Sequence, residues 1–237
     1  ADSNREVAMG DLKLYGHREN DLVRLPDPTN VLKYPHFFFG AYDAKRGYVI
    51  KASSVLPTST TNEYLKWNPF AIDVPGSGLA AGTVVSDRGW ISNNGMNSSG
   101  IADGTDNNSL SGIDGSVTTR NGPWLQLSLP HKIKVTTVDM YARSTSPADR
   151  IVEGYFYGSN DETTWYELIQ ISTGSDNLAS YTNTAKNTVT INSSIAYKHL
   201  IYQVTQITSP KTYGSVGKMN FYGTEEGSVP IQIGGGN

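Results

Sequence analysis

Cysteine is missing altogether from the 237 residues. That excludes disulfides, cysteine-ligated zinc and thiol catalysis, without fixing the compartment. Charge is scarce. Only 17% of residues are charged, with 19 Lys+Arg against 22 Asp+Glu and a net charge of -3, so there is no cationic excess to displace counterions from a nucleic acid. No run of about 18 apolar residues occurs, so no helical membrane span is expected. The opening ADSNREVAMGDLK lacks the basic and then apolar pattern of a signal segment. Histidine is rare as well. His17, His36, His131 and His199 are scattered, and none makes a paired zinc-binding spacing on a helix. Neither a Gly-x-Ser-x-Gly elbow nor a phosphate-binding loop is present. The adjacent carboxylates Asp161-Glu162 and Glu225-Glu226 point apart in a strand or turn, so they do not form a glycosidase pair.

What is present is strand. KVTTVDMYA (134–142), EGYFYGS (153–159), WYELIQIS (165–172), NTVTINSS (187–194), HLIYQVTQIT (199–208) and KMNFYGT (218–224) are rich in β-branched and aromatic residues. Gly/Asn/Asp/Ser clusters separate them, the pattern of an antiparallel sandwich or barrel. The best helix candidate, 62–67, is about one turn and half polar. In PWLQLSL, Leu125, Leu127 and Leu129 share the expected core face, with Trp124, Gln126 and Ser128 opposite. Trp165 follows a turn built on Asn160-Asp161 and is expected to pack on the sheet. Residues 74–123 are dense in Gly, Ser, Asn and Asp, with a short strand expected near Gly89–Ile91. The stretch reads either as functional loops at one end of a sandwich or as a surface insertion.

One internal echo stands out. Gly10, Tyr15, Gly16 and Glu19 recur at the spacing of Gly217, Tyr222, Gly223 and Glu226, with apolar residues matching between them. Residues 1–46 are accordingly expected to hold the end of a preceding module plus a linker, residues 47–225 the sandwich, and residues 226–237 a Gly-rich linker. The chain would then be an excerpt of a larger modular protein.

Six segments in order carry a family resemblance: GYVIKASSV (47–55), NPFAIDV (68–74), DRGWIS (87–92), GPWLQLSLP (122–130), IVEGYFYGSNDETTWYELIQI (151–171), and HLIYQVTQI (199–207) with KMNFYG (218–223). Together they resemble the discoidin, or F5/8 type C, galactose-binding-like family. Ser128, Pro130 and Val74 depart from its usual Asp, Gly and Gly, and the 93–121 stretch is longer than usual. The resemblance implies an all-β, antiparallel β-sandwich of jelly-roll type. It also implies a structural Ca²⁺ held by Asp73 and Glu225; the alternative is that Asp73 caps a turn and Glu225 is solvated.

The family's binding face lies on loops at one end, here 86–96, 143–150, 173–178 and 209–216. Sugars are held by aromatic stacking and fixed polar groups, which makes Trp90, Asn93, Arg143, Arg150, Lys211 and Tyr213 the ligand candidates. Ordinary surface salt links are the alternative for the arginines. No cluster of apolar spikes with lysines suggests membrane insertion. VLKYPHFFFGAYDAKRGYVIKASS (31–54) looks like the lead-in to discoidin-like modules in structural proteins of large DNA viruses, algal viruses among them. The expectation is a non-catalytic carbohydrate-binding or attachment module, extracellular or on a virion surface, with a glycan as partner. The alternative is a minor capsid or particle-associated protein packing against neighbouring subunits.

Overall fold

The computed structural model describes residues 32–34, 44–45, 47–57, 64–70, 89–143, 151–174, 186–208 and 212–226. In chain order the strands are β1 (Leu32–Tyr34), β2 (Ala44–Lys45), β3 (Tyr48–Ala52), β4 (Trp90–Gly95), β5 (Ser109–Ser111), β6 (Thr119–Asn121), β7 (Trp124–Tyr141), β8 (Ile151–Ser159), β9 (Tyr166–Ser172), β10 (Asn187–Thr190), β11 (Tyr197–Ile207), β12 (Tyr213–Val216) and β13 (Lys218–Glu225). Two single 3-10 turns, Asn68–Phe70 and Thr105–Asn107, are the helical content of the described residues. None is long and apolar enough to cross a membrane. The expected segment 10–19 lies outside the described residues.

The fold is an antiparallel β-sandwich whose two layers share one strand. In its first half β7 pairs with β3 on one side and β11 on the other, and β8 and β9 follow outward. In its second half β7 pairs with β10 and β13, and β1 adds to β13 at Leu32↔Gly223. The sequence suggests two elements, 122–130 and 134–142, whereas the chain makes one 18-residue strand that passes from one layer to the other. Pro130 sits at that passage. A ladder donor is least needed there, and Gly47 closes directly on the proline ring.

Burial explains the layering. Leu125, Leu127, Leu129, Ile133 and Val135 point inward at 0% exposure, and so do Val138 and Met140. The inward parity changes between Val135 and Val138 because Thr136 is extra: the partner register jumps from Tyr222↔Thr137 to Gly223↔Val135. A bulge of this kind re-aims the side chains that follow it. Across the core, Phe156 of β8 meets Phe221 of β13 edge to face, with ring centroids 6.0 Å apart. A second apolar cluster of Leu110, Ile113, Tyr157, Trp165 and Ile201 lies on the outer face of the β3–β9 layer. The hairpin β5–β6 covers it, so the 93–121 stretch is folded over the sandwich.

Candidate functional site

Register fixes what the outer face of the larger layer presents. Lys51, Gln126, Ile201 and Tyr157 stand in one cross-strand row, and Ser128, His199 and Ser159 in the next. Lys51 is exposed, whereas Gln126 and Ser128 keep only 2% and 4% exposure. Buried polar groups need partners, and here they find one another. Gln126 Nε2 donates to Ser128 Oγ at 2.8 Å and to Glu162 Oε2 at 3.2 Å. Ser128 Oγ also shares a hydrogen bond with His199 Nδ1 at 2.8 Å. Lys51 Nζ is ion-paired to Glu162 Oε2, and Glu162 Oε1 lies 3.4 Å from His199 Nδ1.

Glu162 reaches this row because of the turn that carries it. Asp161 Oδ1 accepts the N–H groups of Thr163 and Thr164 at 2.8 and 2.7 Å, and Ser159 Oγ accepts those of Asp161 and Glu162. The Thr164 and Thr163 amides hold the Asp161 carboxyl well below the usual carboxylate range. Glu162 itself takes a positive φ of 61°, which turns its side chain back over the sheet. Burial raises its proton affinity, but hydrogen bonds from Lys51 and Gln126 outweigh that and leave it below the ordinary carboxylate value. For His199 burial dominates and lowers the imidazole below its ordinary range, against the opposing attraction of Glu162.

Between this polar row and β5 opens a cleft of about 430 Å³. Its apolar part comes from Leu110, Trp124 and Trp165, and its polar part from Lys51, Gln126 and Glu162. Both tryptophans are anchored. Trp124 Nε1 donates to Ser109 O at 2.8 Å, and the Trp165 backbone bonds Gly112 O at 2.9 Å and Asp114 N at 2.7 Å. A cleft of this size with an aromatic wall and a few convergent polar groups is the usual form of a small-ligand site. It is not built for nucleophilic catalysis. Ser128 and Glu162 both approach the same His199 nitrogen, whereas a catalytic relay uses the two ring nitrogens separately.

None of the described residues singled out from sequence lines this cleft. Trp90 and Arg143 are both buried. Trp90 is fully buried in the core, donating Nε1–H to Ser54 O at 2.9 Å, so neither ring face meets solvent. Arg143 is 5% exposed, and its guanidinium lies 4.8 Å from the centre of the Tyr64 ring. Asn93 is half-buried and donates to Asp106 Oδ2 at 3.3 Å. Tyr213 is half-buried opposite Gly95 in the β4–β12 ribbon. Arg150, Lys211 and Asp73 lie outside the described residues. Glu225 is half-buried at the end of β13, paired with Ile133. Among the described residues no group of three His, Asp or Glu side chains could hold a metal.

Lys51, Leu110, Gln126 and Glu162 were not singled out. Alternation places Lys51 and Gln126 outward, yet no spacing relates them to Glu162.

The F5/8 type C domain profile matches residues 81–218, more than half of the chain. No curated protein matches. Solved structures similar to this one include the third family 32 carbohydrate-binding module of a family 31 glycoside hydrolase from Clostridium perfringens. It is 16% identical, with 73% of this chain and 88% of that one covered and a TM-score of 0.47. A family 32 module from the same organism, in complex with galactose, is 13% identical over 74% and 93% of the two chains, with a TM-score of 0.45. An F5/8 type C domain from Bacteroides fragilis is 10% identical over 75% and 92%, with a TM-score of 0.48.

Proposed function

The chain belongs to the F5/8 type C domain family, and from that premise we propose that it is a non-catalytic carbohydrate-binding module whose ligand lies in the cleft beside β5. One observation carries the reading. The half-buried Trp124 indole stands in the same cleft as Lys51, Gln126 and Glu162, whose polar heads are fixed by mutual hydrogen bonds. A sugar presents an apolar face of C–H groups and a rim of hydroxyls. The indole suits the face, and the amide, ammonium and carboxylate suit the rim. Pre-fixed polar groups also lose little freedom on binding, which favours affinity. The cleft is electrically balanced by the Lys51–Glu162 pair, which fits a neutral saccharide.

The test is a glycan array followed by calorimetry on the strongest hit. Trp124→Ala is expected to weaken binding at least tenfold, and Lys51→Met to weaken it less. Absence of any bound glycan, or affinity unchanged by Trp124→Ala, defeats the proposal.

A further inference from the structure

The cleft borders β5, while a second depression of about 320 Å³ borders β6. It is lined by Arg120 and Asn121 of β6, Glu153 and Tyr155 of β8, Thr205 of β11, and Ile101. Its walls are held firmly. Gln203 Nε2 donates to Arg120 O at 2.9 Å and Gly122 O at 3.1 Å, fastening β6 to the sheet. On the other side Ala102 N donates to Thr205 O at 2.9 Å, and Ile101 bridges Gln206.

The charges in this groove do not cancel. The Arg120 guanidinium lies 3.7 Å from the centre of the Tyr155 ring and is ion-paired to Glu167 at 3.0 Å. Its charge is therefore met. Glu153 is half-buried and has no cation within ion-pair distance among the described residues. Both of its donors are hydroxyls that go to the same oxygen: Thr205 Oγ1 at 2.9 Å and Tyr155 OH at 3.4 Å. Oε2 takes no hydrogen bond from any described residue. A carboxylate offers about four acceptor sites, and this one keeps a whole oxygen without a described donor in a groove that Tyr155 and the exposed Ile101 side chain also line.

We propose that this groove is a second ligand site, which takes a sugar residue bearing a free primary amine. The ammonium would donate to Glu153 Oε2, and the C–H face of the ring would rest on Ile101. An N-acetylated sugar brings no positive charge to the carboxylate and adds bulk at the same point. A charge-assisted hydrogen bond is roughly twice as strong as a neutral one, so selectivity should follow the amine. The proposal extends the glycan-binding reading to a separate surface and rests on that reading only for the class of molecule.

The experiment is two-dimensional NMR on the full chain. It titrates glucosamine, galactosamine and mannosamine, each beside its N-acetylated form. At least one free amine is expected to shift the Tyr155 and Thr205 amides and to bind at least fivefold more tightly than its acetylated partner. Glu153→Gln is expected to abolish the preference and Thr205→Val to reduce it. The preference should also weaken as salt is raised. Equal binding of the two forms, no shift at Tyr155 and Thr205 in the unmodified chain, or a preference that survives Glu153→Gln overturns the proposal. A chain that binds neutral glycans through Trp124 but ignores amines fails this inference alone. One that binds amines through Glu153 and no neutral glycan fails only the reading of the cleft.

Discussion

The Ser53 hydroxyl donates to the side-chain carbonyl of Asn108 at 2.6 Å, joining residues 55 positions apart. Ser54 donates to the same oxygen at 2.7 Å, and the Asn108 amide donates to Asn93 O and Thr105 O, both at 2.8 Å. All four hydrogen-bonding positions of a fully buried amide are thus filled. The Ala-Ser-Ser at 52–54 is therefore the clamp that holds the 93–121 stretch on the sandwich. Asn108→Ala takes away the acceptor of two half-buried serine hydroxyls and the side-chain donor to the Asn93 and Thr105 carbonyls. It should cost about 1–3 kcal/mol in urea unfolding, with faster amide exchange across 93–121. Exchange unchanged in that stretch contradicts the clamp.

Much of the fold was legible because its signals are local. The inward Leu125, Leu127 and Leu129 follow from alternation, and the burial of Trp165 follows from its place after a capped turn. The Thr136 bulge was not legible, because KVTTVDMY alternates plausibly in either parity and only the partner strand decides it. The site was harder. Trp90, placed among glycines and serines, carries no periodicity to tell a loop-tip indole from a core one. Lys51 and Glu162 are 111 residues apart and meet only because the five strands fix which side chains share a row.

The edge-to-face contact of Phe156 and Phe221 joins the two layers. Phe156→Ala should destabilise the domain by about 3–5 kcal/mol. A double-mutant cycle with Phe221→Ala should show a coupling of about 0.5–1.5 kcal/mol beyond the separate losses. Strict additivity would mean that the rings fill space without recognising each other.

Stability should fall in mild acid. His199 is held below its unfolded value of about 6.5 by burial, so below that pH the unfolded chain binds the proton first. Its contribution is complete above about pH 6.5 and is lost as pH drops through the lower folded value. Glu162, also lowered, adds a loss of the same sign in the more acidic range below about 4.5. Urea midpoints measured from pH 7.5 downward should decline first with the histidine, and His199→Gln should flatten that first decline. A wild-type profile flat between pH 7.5 and 5 rules the linkage out.

The cleft wall depends on Gly112. Its φ is +79°, and a Cβ there would lie 2.0 Å from Thr163 O, so both backbone conformation and space demand glycine. Gly112 O also accepts the Trp165 N–H at 2.9 Å, which holds the hairpin against the turn that delivers Glu162. Gly112→Ala should therefore part β5 from the sheet while leaving the two-layer core intact. Far-ultraviolet circular dichroism should be unchanged, tryptophan emission should shift red as Trp165 meets water, and cleft affinity should drop at least tenfold. The Glu153 groove is fastened separately through Gln203 to Arg120 O and Gly122 O, so its ligand should be lost to a lesser degree. If both sites vanish together with the circular dichroism signal, the hairpin is part of the folding core and not a cover laid upon it.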